Sequence, residues 1–165
     1  MVARYCDYLN GLDINPGTIG SPKKTLQALV NIGAGGDNFF IADTSAQVLL
    51  VPISWVLGFA ADNTKYTTFQ SYNVDGSIII QRPDEGVPRV AATIDGNSTV
   101  GEPFSETSAP SRLVLKNLKI TGSTTWLMRL HGAGSAMYGC EIYGTTAALP
   151  LRSNGSGQSI VNTYV

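Results

Sequence analysis

The chain has 165 residues and a formal charge of −1, with 43% hydrophobic and only 14% charged residues, well below the usual charged share of about 25%. Eleven Lys+Arg against twelve Asp+Glu leave no basic footprint for nucleic acid, seven Tyr, five Phe and two Trp exclude a disordered chain, and eighteen glycines without a three-residue period exclude collagen. The longest apolar stretch, Val48 to Ala61, is broken by Pro52, Ser54 and Gly58 and is too short to cross a bilayer, so no membrane insertion is expected.

The start, Met1-Val2-Ala3-Arg4-Tyr5-Cys6-Asp7, lacks the basic end and apolar run of a secretory signal. The expectation is a protein used without export, or a mature chain whose signal is gone. Cys6 and Cys140 are the only cysteines; their spacing suggests no bridge, and they read as small buried thiols. With the single His131 they cannot furnish a four-ligand metal site without carboxylates. A helix follows: Ser21 is placed to cap it and Pro22 suits its first position. Leu26, Leu29 and Val30 share one face and Gly33 ends it. Lys23 and Lys24 stand at the unfavourable end of its dipole, so packing must hold it.

Beyond Gly36 the pattern is one of short strands: 39–42, 48–51, 66–71, 77–81, 90–94, 113–121, 125–130, 135–143 and 159–165. Turn signals such as Asp75-Gly76, Asp84-Glu85-Gly86, Asp95-Gly96 and Asn154-Gly155 separate them. An antiparallel sandwich and a parallel solenoid both fit many short strands. An internal repeat favours the solenoid. With the segment from Leu113 laid over the segment from Ser135, Leu115 falls on Met137, Leu118 on Cys140, Ile120 on Ile142 and Gly122 on Gly144. One further repeat along the chain come Ile160 and Asn162, the latter under Asn117. Trp126–Gly134 repeats over Ala148–Gly157, and an earlier coil is expected from Thr68–Tyr72 to Val90–Ile94. Recurrent apolar positions imply columns of stacked side chains that close a core only when coils are stacked.

These features resemble the right-handed parallel β-helix, or pectate-lyase-like, superfamily. The more specific part is Tyr5-Cys-Asp-Tyr-Leu-Asn10-Gly11-Leu-Asp13-Ile-Asn15-Pro16-Gly17-Thr18, then Lys24-Thr25-Leu26-Gln27-Ala28, then Gly36-Asp37 and an apolar strand. It is similar to the "NGxDxNxGT" turn, "KTLQxA" helix and "GD" step that open many such proteins. The resemblance implies an all-β solenoid of about three to five coils. Residues 1–36 would supply a strand, a turn and a helix capping the open end, and residues 37–165 the coils. The middle, 43–89, matches weakly, with an inserted loop expected around Pro52–Trp55. The pattern runs to Val165 without a polar closing segment, so continuation of the chain or a covering partner is expected.

Lyases of this superfamily use Ca²⁺-binding carboxylates with a Lys or Arg base. The resemblance therefore points to Asp95, Glu141, Lys116, Lys119, Arg129 and Arg152, and to calcium only if the protein is a lyase. Lys119 and Glu141 stack one coil apart and read as readily as an exposed ion pair. Asp84 with Glu85 forms a turn rather than the separated carboxylate pair a glycosidase needs. His131 lies in a turn with no nucleophile elbow in the chain, and Gly33–Gly36 and Gly132–Gly134 lack the pattern of a phosphate loop. Asn117 and Asn162 read as turn residues able to stack in a ladder. Among the aromatics Trp55, Tyr66, Phe69, Tyr72, Trp126, Tyr138 and Tyr143, the pair Tyr138 and Tyr143 is placed to stack on a glycan.

Three functions fit. The leading expectation is a non-catalytic virion protein of a phage or virus, a tailspike or fibre segment or a capsid decoration protein. It would be assembled in the host cytoplasm with other subunits, as a homotrimer, and contact host glycans. It rests on the missing export signal and the absence of a convincing catalytic set. The alternatives are the N-terminal part of a secreted polysaccharide lyase or glycoside hydrolase, and a carbohydrate-binding surface protein. All three argue from fold to function.

Overall fold

The computed structural model describes residues 1–44, 46–50, 53, 65–73, 77, 92–100, 112–124, 128–130, 134–142, 151–153 and 157–161. The expected strand at 77–81 apart from Ser77, the loop around Pro52–Trp55 apart from Ile53, and Asp84, Glu85, Trp126, His131, Tyr143, Gly144 and Asn162 lie outside them. Twelve strands and one helix occur among the described residues. The N-terminal part holds β1 (Ala3–Cys6), α1 (Leu26–Asn31), β2 (Asn38–Ala42), β3 (Gln47–Val48) and β4 (Thr67–Tyr72). Then come β5 (Ala92–Val100), β6 (Leu113–Lys116), β7 (Leu118–Ser123) and β8 (Met128–Leu130). The last are β9 (Ala136–Tyr138), β10 (Glu141–Ile142), β11 (Leu151–Ser153) and β12 (Ser159–Val161).

Every pairing between these strands is parallel. One sheet has the order β1-β2-β4-β6-β9-β12, a second β10-β7-β5-β3, and a third pairs β11 with β8. Parallel neighbours cannot be joined by a tight turn; the chain must travel away and return. Here it returns through the other sheets: β2, β3, β4, β5, β6 and β7 alternate between the first and second. After β7 and again after β10 it visits the third.

This route places apolar residues in registered rows. Phe39, Phe69, Leu115 and Met137 pair in sequence across the first sheet and are fully buried, with the Phe39 and Phe69 rings stacked 4.6 Å apart. Ile160 continues the row at 44% exposure. Ile94, Ile120 and Ile142 form the matching row of the second sheet. The buried members of both rows, with Leu118, Cys140 and the helix residues Leu26, Leu29 and Val30, belong to one core cluster. Burying each large side chain stabilises by about 1.5–3 kcal/mol.

The expected repeat recurs in the pairs Leu115–Met137 and Ile120–Ile142, and Met137 is followed in register by Ile160. The earlier coil expected from Thr68–Tyr72 to Val90–Ile94 is corrected. β4 pairs with β2 and β6 in the first sheet, whereas β5 pairs with β3 and β7 in the second. Phe69 meets Leu115, which lies beyond the whole of β5 in the chain. Alternation has a period of two in any strand, so an offset between two apolar segments cannot tell which sheet each joins.

The helix also starts later than expected. Thr25, not Ser21, is the N-cap, and its Oγ1 accepts from the Ala28 N–H at 3.2 Å. Residues 21–23 are held elsewhere. Ser21 N–H donates to Thr18 O, and Lys23 makes backbone hydrogen bonds with Tyr5 and Asp7 along the outer side of β1. Pro22 therefore precedes the helix instead of opening it. Asp13 accepts from Lys24 N–H (3.1 Å) and Thr25 N–H (2.7 Å), and Gln47 Oε1 accepts from Leu26 N–H (3.0 Å). Donors left open by the first helical turn are thus partly met from two distant side chains.

The single strand expected at 113–121 is two, β6 and β7, divided at Asn117, whose φ is 52°. One repeat later Gly139 divides β9 from β10 at φ 59°. Asn and Gly are the residues that adopt this left-handed conformation most readily. The corner is tied across the sheets: Ser71 Oγ donates to Asn117 O and accepts from Ala92 N–H at 2.9 Å.

Candidate functional site

The face of the first sheet opposite the core carries two registered rows. One runs Asn38, Thr68, Val114, Ala136, Ser159 and the other Tyr5, Phe40, Gln70, Lys116, Tyr138, Val161. Both follow from the same alternation that buries Phe39, Phe69, Leu115 and Met137. The rows change character along the sheet. At the N-terminal side Tyr5 stacks on Phe40 at 4.7 Å and meets Tyr72 edge-on at 5.3 Å, closing the surface with aromatic rings. Burial raises the pKa of the Tyr72 hydroxyl far above its ordinary value, and the nearby Asp7 adds to the effect.

Further along the sheet the surface opens. A cleft of about 710 Å³ has Thr68, Val114, Ala136 and Ser159 along one side of its floor and Lys116, Tyr138 and Val161 along the other. Tyr66, Gly134 and Gly157 line one margin, and Asn117 and Gly139 the other. Tyr66 is 48% and Tyr138 39% exposed, so both offer ring surface to a bound molecule. The Arg112 guanidinium lies 5.3 Å from the centroid of Tyr66, within reach of a cation–π attraction. Ala136, Gly134 and Gly157 add little side-chain bulk to the lining.

The structure separates the other expected residues. Lys116 is in the cleft, half-buried. Lys119 and Glu141 are register neighbours on the second sheet, where Asp95 also lies, its Oδ1 accepting from Asn97 N–H at 2.8 Å. Arg129 and Arg152 pair in register on the third sheet. The lyase candidates are thus spread over three sheets. No group of three or more His, Cys, Asp or Glu residues comes together among the described residues to hold a metal ion. Leu26, Leu29, Val30, Leu115, Leu118, Ile120, Met137, Cys140 and Ile142 are buried in the core. Both cysteines are free; burial pushes the Cys140 thiol up to about 11 and Cys6 higher still, so neither is a ready nucleophile.

Tyr138, expected with Tyr143 as an exposed aromatic for glycan stacking, is part-exposed next to buried Met137. The sequence reading did not single out Thr68 and Ser159 as site residues. Thr68 reaches the cleft through a pairing between distant segments, for which the sequence carries no local signal, and Ser159 through its place beside Ile160 in the last repeat.

No known protein family matches the sequence, and no curated protein matches it. Among solved structures the chain is similar to a rhamnogalacturonan lyase, with a TM-score of 0.51 and 13% identity over 99% of this chain and 51% of that one. It is also similar to a GH136 lacto-N-biosidase from Eubacterium ramulus, with a TM-score of 0.48 and 14% identity over 94% of this chain and 30% of that one. The chain thus spans about half and about a third of the solved chains it matches. Both are enzymes that act on carbohydrates; at such identities the likeness to the lyase is one of fold. Neither the described structure nor the comparisons support the expected virion role or trimer.

Proposed function

We propose that the chain forms coils of a right-handed parallel β-helix belonging to a polysaccharide lyase or glycoside hydrolase, and that the cleft over β6, β9 and β12 holds part of the saccharide. The circulation of the chain through three parallel sheets supports the β-helix, and crossovers between parallel strands are right-handed in about 98% of cases. The observation that carries the binding role is the pair of part-exposed tyrosines, Tyr66 and Tyr138, lining one cleft together with polar residues such as Thr68, Lys116 and Ser159. Such a surface offers flat apolar area for sugar rings with polar groups beside it. Glycoside hydrolysis needs two carboxylates about 5–10 Å apart, and no carboxylate lines the cleft among the described residues. The role assigned to these residues is therefore binding and orientation.

Titration calorimetry with a panel of neutral and acidic plant oligosaccharides tests this. Saturable binding of at least one is expected, with Tyr138→Ala weakening it about tenfold, equivalent to about 1.4 kcal/mol. Absence of binding across the panel, or an unchanged Kd in the variant, contradicts it.

A further inference from the structure

The charge of the cleft is one-sided. Among the described residues Lys116 is the one charged side chain in its lining, and no carboxylate pairs with it. Arg4, by contrast, finds Asp37 at 2.7 Å. Lys116 is half-buried, on the same strand as Val114 and directly opposite Tyr138 on the next. A partly desolvated ammonium attracts an anion more strongly than one in open water.

Register then fixes the spacing. Lys116 and Tyr138 stand on adjacent strands about 4.8 Å apart. A sugar ring lying on Tyr138 has its substituents, or those of the adjoining ring, within reach of the flexible lysine. We infer that the saccharide held here is anionic, its carboxylate or sulfate group pairing with Lys116 while a ring stacks on Tyr138. The inference rests on the reading of the cleft as a saccharide site. Lys116 is then the residue that sets specificity, and Tyr138 the one that supplies affinity for any sugar ring.

The test compares an oligogalacturonate, a sulfated galacto-oligosaccharide and a neutral galacto-oligosaccharide of matched length. Each is titrated into the wild-type protein and the Lys116→Met, Lys116→Arg and Tyr138→Ala variants, at about 50 mM and about 500 mM salt. The wild type is expected to bind one anionic ligand about tenfold more tightly than the neutral one, with the preference shrinking at high salt. Whether the uronate or the sulfate is preferred identifies the anionic group. Lys116→Met should abolish the preference and Lys116→Arg retain it, with far-UV circular dichroism unchanged in both. Equal binding of neutral and anionic ligands, indifferent to Lys116→Met but weakened by Tyr138→Ala, overturns the inference and leaves the saccharide site standing. No binding of any ligand, or binding indifferent to Tyr138→Ala, overturns both.

Discussion

Asp7 shows how much one buried carboxylate organises. It is 3% exposed, and its Oδ1 accepts from Leu9 N–H (3.0 Å), Asn10 N–H (3.1 Å) and Thr44 Oγ1 (2.6 Å), while Oδ2 accepts from Asn10 Nδ2 at 2.9 Å. Burial alone would raise its pKa; the hydrogen bonds from Thr44, Asn10 and Leu9 together outweigh it, and the pKa lies below the ordinary value. A lowered folded-state pKa contributes stability above the unfolded value of about 4, and that contribution is lost as pH falls through the folded pKa. Asp7→Asn puts an amide N–H₂ against Asn10 Nδ2 or gives up the other oxygen's partners. We expect it to cost about 1–3 kcal/mol at neutral pH. Urea denaturation from pH 7 to pH 3 should show the variant losing less stability than the wild type below about pH 4; identical pH dependence in the two would contradict this role. The sequence motif around Asn10 and Asp13 announced a turn here. Thr44, which makes the shortest of these bonds, lies beyond the helix and left no mark in the motif.

At the scale of elements, caps and corners decide where structure stops. Residues 17–23 run along β1 and take up its outer hydrogen bonds, with Tyr5 N–H on Gly17 O at 2.8 Å and Asp7 N–H on Lys23 O at 2.8 Å. An edge so covered cannot recruit another strand. That pairing also delays the helix to Leu26. The helical face Leu26, Leu29 and Val30 was legible from its spacing. Its start was not, because Ser21-Pro22 is a good local N-terminus that a non-local pairing overrides. The corners follow a simpler rule. Asn117 and Gly139 occupy the same left-handed position one repeat apart. Gly139→Asn should therefore change stability by less than about 0.5 kcal/mol, and Gly139→Val should cost about 1–3 kcal/mol. Thermal melts of the two variants distinguish them; equal loss in both would mean that the corner demands glycine for space and not for its backbone angle.

Across the whole molecule, stacked rows do two jobs. Inward, Phe39, Phe69, Leu115 and Met137 build the core; outward, the row one position on carries Gln70, Lys116, Tyr138 and Val161 past the cleft. A one-residue slip of any strand would exchange these sets, so the burial that stabilises the fold also positions the candidate site. The repeat could be read where the return path is short, as from Leu115 to Met137. It could not be read between Phe69 and Leu115, where the return is about twice as long and passes through β5. The site was half legible for the same reason. Tyr138 and Lys116 sit within the readable repeat, whereas Tyr66 and Thr68 join them only through the long return.

The most direct measurement is amide chemical-shift mapping by NMR on the labelled protein, titrated with the best-binding oligosaccharide. Perturbations are expected to centre on Thr68, Lys116, Tyr138 and Ser159, with the second-sheet residues Thr93, Lys119 and Glu141 unmoved. Perturbations centred on the second sheet, or none at saturating ligand, would contradict a saccharide site over the first sheet.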